Sequence, residues 1–353
     1  MAGGSAHSRH PLSATRAEHP GTSLVAGCLC SLLLYVLLFA CILDRPLSLG
    51  FLQHQIDAKL ARAEAIGQPK LVILAGSNGP YSHRCQAIEP ILRMPCVNGG
   101  VAVGVGLDYL FTRWQRVLHP GDIVYLPMEE AQYVRPRAAT AAGPDAAIMA
   151  RHDWRTLAAL PPGRWLAALF AFDLRAALMA PIEAFLVAVQ FHDPRAEAIG
   201  ATNAWGDHVG HTAERGAASQ AVLAAVTPFH ASAEQVRSGY GSALIAAFTR
   251  WAGAHNVTVI GGLPTGFADA PKPELDAITS VYTANGGGFV VLPNFSRYPR
   301  EAFFDTSEHL NETWQAVHSR LLAEQLRWRR ASIAAARPAG PADPPAPRST
   351  PTD

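Results

Sequence analysis

The chain contains few charged residues. Lys, Arg, Asp and Glu account for 16% of its 353 residues, whereas about 25% is usual in a soluble domain. The formal net charge is +1, and the sequence has no Lys/Arg-rich run with interleaved aromatic residues. Since nucleic-acid binding depends on such a basic surface, nucleic acid is excluded as an expected partner.

Cysteine is also scarce, and the five cysteines do not show the paired spacing of a metal site. Three of them lie in an apolar run, where cysteine acts as a small apolar residue. Cys85 and Cys96 would form a disulfide in an oxidising compartment, although two buried thiols are an equally good interpretation. No motif for a cofactor is present, and no cofactor is predicted.

One long apolar run extends from Thr22 to Leu43 without a charge. About 20 such residues span the hydrocarbon core of a bilayer, and the run lacks the small-residue cleavage site of a signal peptide. It predicts an uncleaved transmembrane signal anchor over residues 22–43, with residues 1–21 as a disordered cytoplasmic tail. A long domain after a short N-terminal tail favours export. In a bacterium this means a single-pass protein of the inner membrane whose domain faces the periplasm.

Composition divides the rest of the chain. Helical periodicity over Leu52–Ile66 predicts a stalk helix within residues 44–69, and Pro69 separates it from a globular domain over residues 70–330. Residues 331–353 are rich in Ala and Pro, which predicts a disordered tail.

Within the globular region, short apolar strands alternate with helical stretches. The strongest strand patterns are Leu71–Ala75, Asp122–Pro127, Val257–Gly261 and Gly288–Pro293. Such alternation is typical of an α/β fold with a parallel sheet and helices on both faces. Sites in these sheets lie at the carboxyl ends of the strands.

The alternation is interrupted at about residues 139–242, which predicts a helical insertion. Its most apolar part, Trp165–Phe191, contains Asp173, Arg175 and Glu183. Charges of this kind are expensive within a bilayer. The segment is therefore interpreted as packing on the core or touching the membrane surface, and not as a second span.

Ser77 stands at the end of the first predicted strand, within the turn Gly76-Ser77-Asn78-Gly79. A serine hydroxyl becomes a nucleophile when a base removes its proton, and a glycine-containing turn lets backbone amides approach an oxyanion. The alternative interpretation is a serine that caps a following helix.

A candidate base lies far downstream, where Asp305 and His309 are four residues apart before a predicted closing helix. His309 would accept the proton of the serine, and Asp305 would orient the imidazole and stabilise its charged form. Alternatively, Asp305, Thr306 or Ser307 caps the closing helix. The two interpretations are compatible.

A third segment, Cys96–Gly104, places Asn98 and several glycines after a short strand. A loop of this composition suits backbone amides that approach a ligand closely. A tight turn between a strand and a helix explains the same residues.

In this order, the three segments resemble the SGNH (GDSL-like) hydrolase superfamily over residues 70–330, apart from the insertion. The resemblance implies a flavodoxin-like three-layer α/β/α fold and ester hydrolysis or acyl transfer without a metal. It also implies that Ser77 is the nucleophile, that His309 is the general base and acid, and that Asp305 is its orienting partner.

The resemblance further implies an oxyanion hole formed by the serine amide and a glycine amide. The residues assigned to the oxyanion or the substrate on this basis are Asn98, Gly99, Gly100, Gly104 and Glu129.

The sequence departs from the family pattern in three places. The first block is Ala75-Gly76-Ser77 where the family usually has Gly-Asp-Ser, and the spacing between Asp and His is four where three is usual. The third block, Gly-x-Asn-Asp, is absent, and the corresponding strand is followed by Glu129 and Glu130. A carboxylate cannot donate a hydrogen bond unless it is protonated. The oxyanion hole would therefore rest on backbone amides, or Glu129 has another task.

The predicted architecture is similar to membrane-anchored SGNH-like proteins associated with exopolysaccharide acylation, including the type encoded beside bacterial cellulose synthases. This resemblance implies a polysaccharide substrate. As partners it implies a membrane acyltransferase or a polysaccharide synthase complex. The rival hypothesis is a non-catalytic accessory protein that keeps the fold, which the missing third-block asparagine favours and the retained serine, aspartate and histidine oppose.

One further cluster, Asn203–His211, contains Asp207, His208 and His211, which could ligate zinc together with His230. The same loop could line a sugar-binding cleft, since aromatic rings stack on carbohydrate. A polar loop with a packed tryptophan is the third interpretation. No metal site is predicted.

Overall fold

The computed structural model describes residues 20–42, 47–169 and 201–336, together with the isolated positions 182, 185, 188 and 189. Residues 20–21 and 331–336 are helical. The remainder of the two predicted disordered tails, residues 1–19 and 337–353, lies outside the described residues.

The described strands form a larger and a smaller sheet. In chain order the strands are β1 (Leu71–Ile73), β2 (Cys96–Asn98), β3 (Ile123–Leu126), β4 (Thr258–Gly262), β5 (Gly266–Phe267), β6 (Gly288–Val290) and β7 (Arg297–Tyr298). The larger sheet has five parallel strands in the order β2-β1-β3-β4-β6. The predicted α/β fold with a parallel sheet is thus confirmed. The smaller sheet, β5 with β7, has only two residues per strand, too short for a periodic pattern to reveal it.

Helices cover both faces of the larger sheet. In the first part of the chain they are α1 (Pro20–Ile42), α2 (Leu47–Ala65), α3 (Asn78–Ser82), α4 (Cys85–Leu92), α5 (Leu107–Trp114), α6 (Glu130–Val134), α7 (Arg137–Ala141), α8 (Pro144–His152), α9 (Trp154–Ala159) and α10 (Pro162–Leu169). From residue 201 onward they are α11 (Ala213–Gly216), α12 (Gln220–Ala225), α13 (Ala233–Ser238), α14 (Tyr240–Ala254), α15 (Leu275–Thr283) and α16 (Glu312–Ala336).

Alternate residues of β1 and the following Leu74 enter two different apolar clusters, as the two-residue period of a strand requires. Val72 and Leu74 pack in one cluster with residues of α2, α5, α14 and α15. Leu71 and Ile73 pack in the other with residues of α4 and α16. Since both faces of the strand are buried, its sequence is a continuous apolar run, as parallel sheets require.

The amino ends of β1 and β3 are joined by a buried ion pair. The ammonium of Lys70 lies 2.8 Å from a carboxylate oxygen of Asp122, and both side chains are fully buried. The same carboxylate accepts the amides of Lys70 and His119. This satisfied network fixes the two strands side by side at the end of the sheet opposite the candidate site.

Helix α2, predicted as a stalk, is part of the folded core. Ile56, Leu60 and Ala63 are buried in the apolar cluster beside the sheet. Lys59 is also buried, and its ammonium donates to the carbonyl of Gly100. Burial lowers the pKa of Lys59 to about 7, against an opposing effect of Asp207.

The predicted transmembrane segment is helical through Ile42, and Leu43 lies outside the described residues. The described apolar side chains of this helix, among them Leu24 and Leu33, are exposed. Within the part of the chain that the structure describes, no helix has both the length and the apolar character needed to cross a membrane.

The described part of the insertion is helical from α7 to α10 and in α11, α12 and α13. Residues 201–212 form a loop with an isolated bridge between Thr202 and His208. Arg164 fixes its first part, pairing with Asp108 of α5 and Asp145 of α8. Trp165 and Leu166 of α10 remain exposed. Most of the apolar stretch that follows lies outside the described residues.

The two cysteines of the globular part form a disulfide. Cys85 begins helix α4 and Cys96 begins strand β2. Of the two interpretations of these residues, disulfide and buried thiols, the structure has the first.

Candidate active site

The site lies at the carboxyl ends of β1 and β3, where the strand order of the sheet reverses. Ser77 follows β1 and Glu129 follows β3, and these two strands are direct neighbours. In open parallel sheets the crevice at such a reversal is the usual place for a ligand.

Ser77 occupies the N-cap position of the short helix α3, but its hydroxyl makes no capping hydrogen bond. Neither the hydroxyl nor the amide of Ser77 has a hydrogen-bond partner among the described residues. The side chain is partly exposed. The Ser77 hydroxyl therefore does not cap helix α3, which was the alternative interpretation. The hydroxyl and the amide of Ser77 are both available to a ligand.

Asp305 and His309 are hydrogen-bonded to each other. His309 Nδ1 lies 2.6 Å from Asp305 Oδ1, so the ring donates its Nδ1 proton and carries its acceptor lone pair on Nε2. His309 is only 8% exposed. This is the arrangement in which a carboxylate fixes the tautomer of a general base.

The loop that carries this pair is closed on itself. The amide of Phe304 donates to the carbonyl of His309 at 2.8 Å, and Phe303 forms an isolated bridge with Leu310. Phe303 and Leu310 are buried in a small apolar cluster beneath the loop. The capping residue of α16 is Asn311, which accepts the amide of Trp314. Asp305, Thr306 and Ser307 lie too far before the helix to cap it.

Helix α3 holds the loop in place from the other side. The hydroxyls of Ser82 and Thr265 both donate to the carbonyl of Glu308, at 2.6 Å and 2.7 Å. Ser82 also accepts the amide of Leu310. The residues on either side of His309 are thus tied to the helix that begins beside Ser77.

The ring of Tyr81 connects His309 with the serine turn. The two rings are stacked at 4.1 Å with an interplanar angle of 9°, and the amide of Tyr81 donates to the carbonyl of Ser77. His309 therefore contacts a residue that lies one helical turn after Ser77. No hydrogen bond joins the Ser77 hydroxyl to His309 in the described part of the chain, so the catalytic pairing stays a prediction.

The glycine loop packs against the serine turn. A Cβ atom at Gly100 would lie 2.8 Å from Gly79 Cα and 2.9 Å from the carbonyl oxygen of Gly76. Only glycine allows this approach of the two backbones. The second segment singled out in the sequence is thus adjacent to the first.

Several donors of this loop are already engaged. The amide of Gly99 donates to the carbonyl of Ile73, and that of Gly100 donates to the side chain of Asn98. The side-chain amide of Asn98 donates in turn to Gly79, His83 and Asp207. These residues build the turn instead of facing a ligand, which corrects the expectation that Gly99 or Gly100 supplies an oxyanion donor.

Of the predicted glycine donors, Gly104 is left. Its amide has no hydrogen-bond partner among the described residues. A Cβ at Gly104 would lie 3.6 Å from Pro144 of the insertion. The preceding residue, Val103, lies close to Gly76, since a Cβ at Gly76 would meet Val103 Cβ at 3.1 Å.

Glu129 lies over the serine turn. A Cβ at Gly76 would lie 2.7 Å from Glu129 Oε1, and the amide of Asn78 donates to the same carboxyl group. Burial and the nearby carboxylate of Glu308 raise the pKa of Glu129 to about 8, against the opposing effect of the Asn78 amide.

The residues considered as zinc ligands are engaged elsewhere. The carboxylate of Asp207 accepts the amides of Cys85 and Gln86 at the start of α4. His208 stacks on Tyr81 at 4.1 Å, and His211 Nε2 lies 3.3 Å from the Tyr81 carbonyl. Among the described residues, no three His, Cys, Asp or Glu side chains are grouped as metal ligands.

His208 nevertheless belongs to the site. Its ring stacks on Tyr81 at 4.1 Å, as the ring of His309 does, so one tyrosine contacts both imidazoles. Burial lowers the pKa of His208 and of His211 to about 4 in each case. Both rings are therefore neutral near pH 7.

Sequence reasoning missed Tyr81, Ser82 and Thr265. The first two lie on α3, which Gly79 and Pro80 made difficult to predict, although proline is favourable in the first turn of a helix. The four-residue spacing between Ser77 and Tyr81 was the available signal. Thr265 has no signal, because its contact with Glu308 is distant in sequence.

Comparisons of the chain with protein families, with curated proteins and with solved structures find no match.

Proposed function

We propose that this protein is an SGNH-like serine esterase or O-acyltransferase that acts on acyl groups of an exopolysaccharide such as cellulose. The observation that carries the proposal is the hydrogen-bonded Asp305–His309 pair, stacked on Tyr81 one helical turn from Ser77. The strand order supports it as well. When only the strands of the larger sheet are numbered along the chain, β2-β1-β3-β4-β6 becomes 2-1-3-4-5, which is the flavodoxin-like order that the family resemblance implies.

In the proposed reaction, the Ser77 hydroxyl attacks the acyl carbonyl while His309 Nε2 accepts its proton. The C=O electron pair moves onto oxygen, and collapse of this tetrahedral intermediate releases the alcohol, which takes the proton from His309. Water or a sugar hydroxyl then attacks the acyl-enzyme by the same steps in reverse. Asp305 holds the imidazole tautomer throughout.

The proposed setting is the periplasmic side of a bacterial inner membrane, with residues 22–43 as the anchor. The Cys85–Cys96 disulfide supports this setting, since such bonds persist in oxidising compartments. The proposed partners are the polysaccharide itself and a membrane acyltransferase or synthase complex that delivers or receives acyl groups.

The test is labelling of the full-length protein with a fluorophosphonate probe, combined with release of acetate from acetylated cello-oligosaccharides. We expect labelling on Ser77 and turnover in the wild type, and loss of both in Ser77→Ala. Ser238→Ala, which changes an exposed serine of α13, should behave as the wild type. Equal turnover in Ser77→Ala and wild type would refute the catalytic assignment.

The second candidate is a non-catalytic accessory protein that binds glycan or a membrane partner. The engaged amides of Gly99 and Gly100 favour it, because they remove two expected oxyanion donors. This candidate predicts no labelling of Ser77 and unchanged glycan binding in Ser77→Ala.

A further inference from the structure

We infer that Glu129 acts as a neutral carboxylic acid whose O–H donates a hydrogen bond to the oxyanion formed when Ser77 attacks the acyl group. The inference rests on the proposed function and assigns a catalytic role to a carboxyl group that the pattern of the family does not contain. It concerns a donor that Gly99 and Gly100 do not provide.

The first support is the position of the carboxyl group. It accepts the amide of Asn78 and lies against Gly76, so it contacts the residues on both sides of Ser77. The contact with Gly76 is close enough that a single methyl group there would meet Glu129 Oε1 at 2.7 Å. An acyl carbon bonded to Ser77 Oγ would be formed beside this carboxyl group.

The second support is the state of the other donors. The amides of Gly99 and Gly100 and the side-chain amide of Asn98 are all used to build the turn. The amides of Ser77 and Gly104 have no partner among the described residues, but only that of Ser77 belongs to the residue that would carry the acyl group. A second donor at 2.7–3.1 Å from the oxyanion typically contributes a factor of about 10²–10³ in rate.

The third support is the electrostatic setting, which favours the protonated acid. Glu129 shares a small cleft with Glu130, Glu308 and Arg297. Burial and the charge of Glu308 raise the pKa of Glu129, and the Asn78 amide opposes them. Glu130 is paired with His230 at 3.1 Å. Among the described residues that line the cleft, Arg297 is the basic one.

The chemistry requires no change in the protonation of Glu129. As the bond between Ser77 Oγ and the acyl carbon forms, the carbonyl electron pair moves onto oxygen and strengthens its hydrogen bond with the Glu129 O–H. The serine proton travels to His309, and from there to the leaving alcohol. When the C=O bond reforms, Glu129 still holds its proton. An ionised Glu129 would instead repel the oxyanion.

The test compares Glu129→Gln with Glu129→Ala in the full-length protein, using kcat/KM for an aryl acetate between pH 6 and pH 10. Glutamine supplies a permanent N–H donor of similar size, so Glu129→Gln should stay within about tenfold of wild type at pH 7. Glu129→Ala should lose about 10²–10³-fold. Wild-type activity should fall as the pH rises through about 8, and this fall should be absent in Glu129→Gln.

A second measurement reads the protonation of Glu129 without turnover. The infrared difference spectrum between wild type and Glu129→Gln should contain a protonated carboxyl band at pH 7 that disappears as the pH rises through about 8. A carboxylate band at pH 7 would overturn the inference, whatever the activity.

The failures of the two proposals differ. If wild type has Ser77-dependent turnover and Glu129→Gln is as inactive as Glu129→Ala, the donor role is refuted and the proposed function stands. If wild type shows neither labelling nor turnover, the proposed function is refuted, and the donor role with it.

Discussion

The imidazole of His309 lies parallel to the phenol ring of Tyr81, with the ring centres 4.1 Å apart and the planes at 9°. The amide of Tyr81 donates a hydrogen bond to the carbonyl of Ser77. This bond places Tyr81 one helical turn after the serine. The tyrosine therefore sets the height and tilt of the proposed base. In the proposed reaction, its role is to position His309.

Replacing this ring should impair the proposed reaction. We expect Tyr81→Ala to lower kcat by roughly 10–100-fold, since a misplacement of about 1 Å costs up to about 10²-fold. Tyr81→Phe keeps the stacked ring and should retain most of the activity, measured with an aryl acetate. If Tyr81→Phe is as impaired as Tyr81→Ala, the hydroxyl matters and the stacking account is wrong.

Asp305→Asn should lower kcat by about 10³–10⁴-fold, because the amide no longer holds His309 in the tautomer with a free Nε2 acceptor. The decisive measurement is the rate of fluorophosphonate labelling at Ser77, which should slow in parallel with turnover. Asp269→Asn is a matched control, since Asp269 is an exposed aspartate paired with Arg300. Labelling of Asp305→Asn at the wild-type rate would exclude the proposed role of Asp305.

Loss of the disulfide should destabilise the fold near the site. Cys85 and Cys96 are separated by 11 residues, and closing a loop of that size contributes about 3 kcal/mol. We expect the free energy of unfolding of the double variant Cys85→Ser/Cys96→Ser, measured by urea titration, to be lower by about this amount. Reduction of the wild type should give the same shift. No shift on reduction would mean that the bond contributes nothing to stability.

A buried chain of hydrogen bonds links Tyr298, His318, His83 and the carbonyl of Asn78. The two imidazoles meet at 3.2 Å through their Nε2 atoms, and His83 Nδ1 lies 3.2 Å from the Asn78 carbonyl. The Tyr298 hydroxyl lies 2.9 Å from His318 Nδ1. Burial lowers the pKa of His83 to about 4 and the pKa of His318 well below its usual value.

These two histidines should make the fold sensitive to acid. The unfolded chain binds a proton at each near pH 6.5 and the folded chain does not, so stability falls as the pH decreases below about 6.5. Each histidine should contribute roughly 1.4 kcal/mol per pH unit until its folded pKa is reached. Urea unfolding of His83→Phe/His318→Phe between pH 4.5 and 7 should depend less on pH than that of wild type. Replacing the exposed His54 should leave the dependence unchanged, and a double variant with the wild-type slope would refute the assignment.

Gly76→Ala should lower both activity and stability. The added methyl group would lie 2.7 Å from Glu129 Oε1 and 3.1 Å from Val103 Cβ, so the carboxyl group must move away from the serine turn. We expect kcat/KM to fall by at least about tenfold, with unfolding free energy changed by about 1–3 kcal/mol, as for other overpacked sites. Unchanged kcat/KM at pH 7 would show that the position of Glu129 does not matter for turnover.

The parts of the fold that the sequence predicted are those with a strong local signal. The four apolar strands β1, β3, β4 and β6 were expected within a few residues of their observed bounds. Buried strands carry uninterrupted apolar residues, and parallel strands with helices between them admit few arrangements. The position of Ser77 at a strand end followed from the same pattern.

What the sequence did not reveal depends on contacts between distant segments. The engagement of Gly99 and Gly100 follows from hydrogen bonds to Ile73 and Asn98, which composition cannot express. The stacking of His208 and His309 on Tyr81 unites three separate segments. The sequence assigned Glu129 to the site because of the block it replaces, but its contact with Gly76 required the folded chain.

Helix α2 sets a limit on how the domain can be produced in isolation. A fragment that begins at Lys70, where the composition suggests a boundary, would lack the buried faces of Ile56 and Leu60 and the ammonium of Lys59 on Gly100. It would expose the apolar surface of the sheet and leave the glycine loop without one of its ties. The smallest unit suited to expression and crystallisation therefore starts at or before Leu47, and an oxidising host is needed for its disulfide.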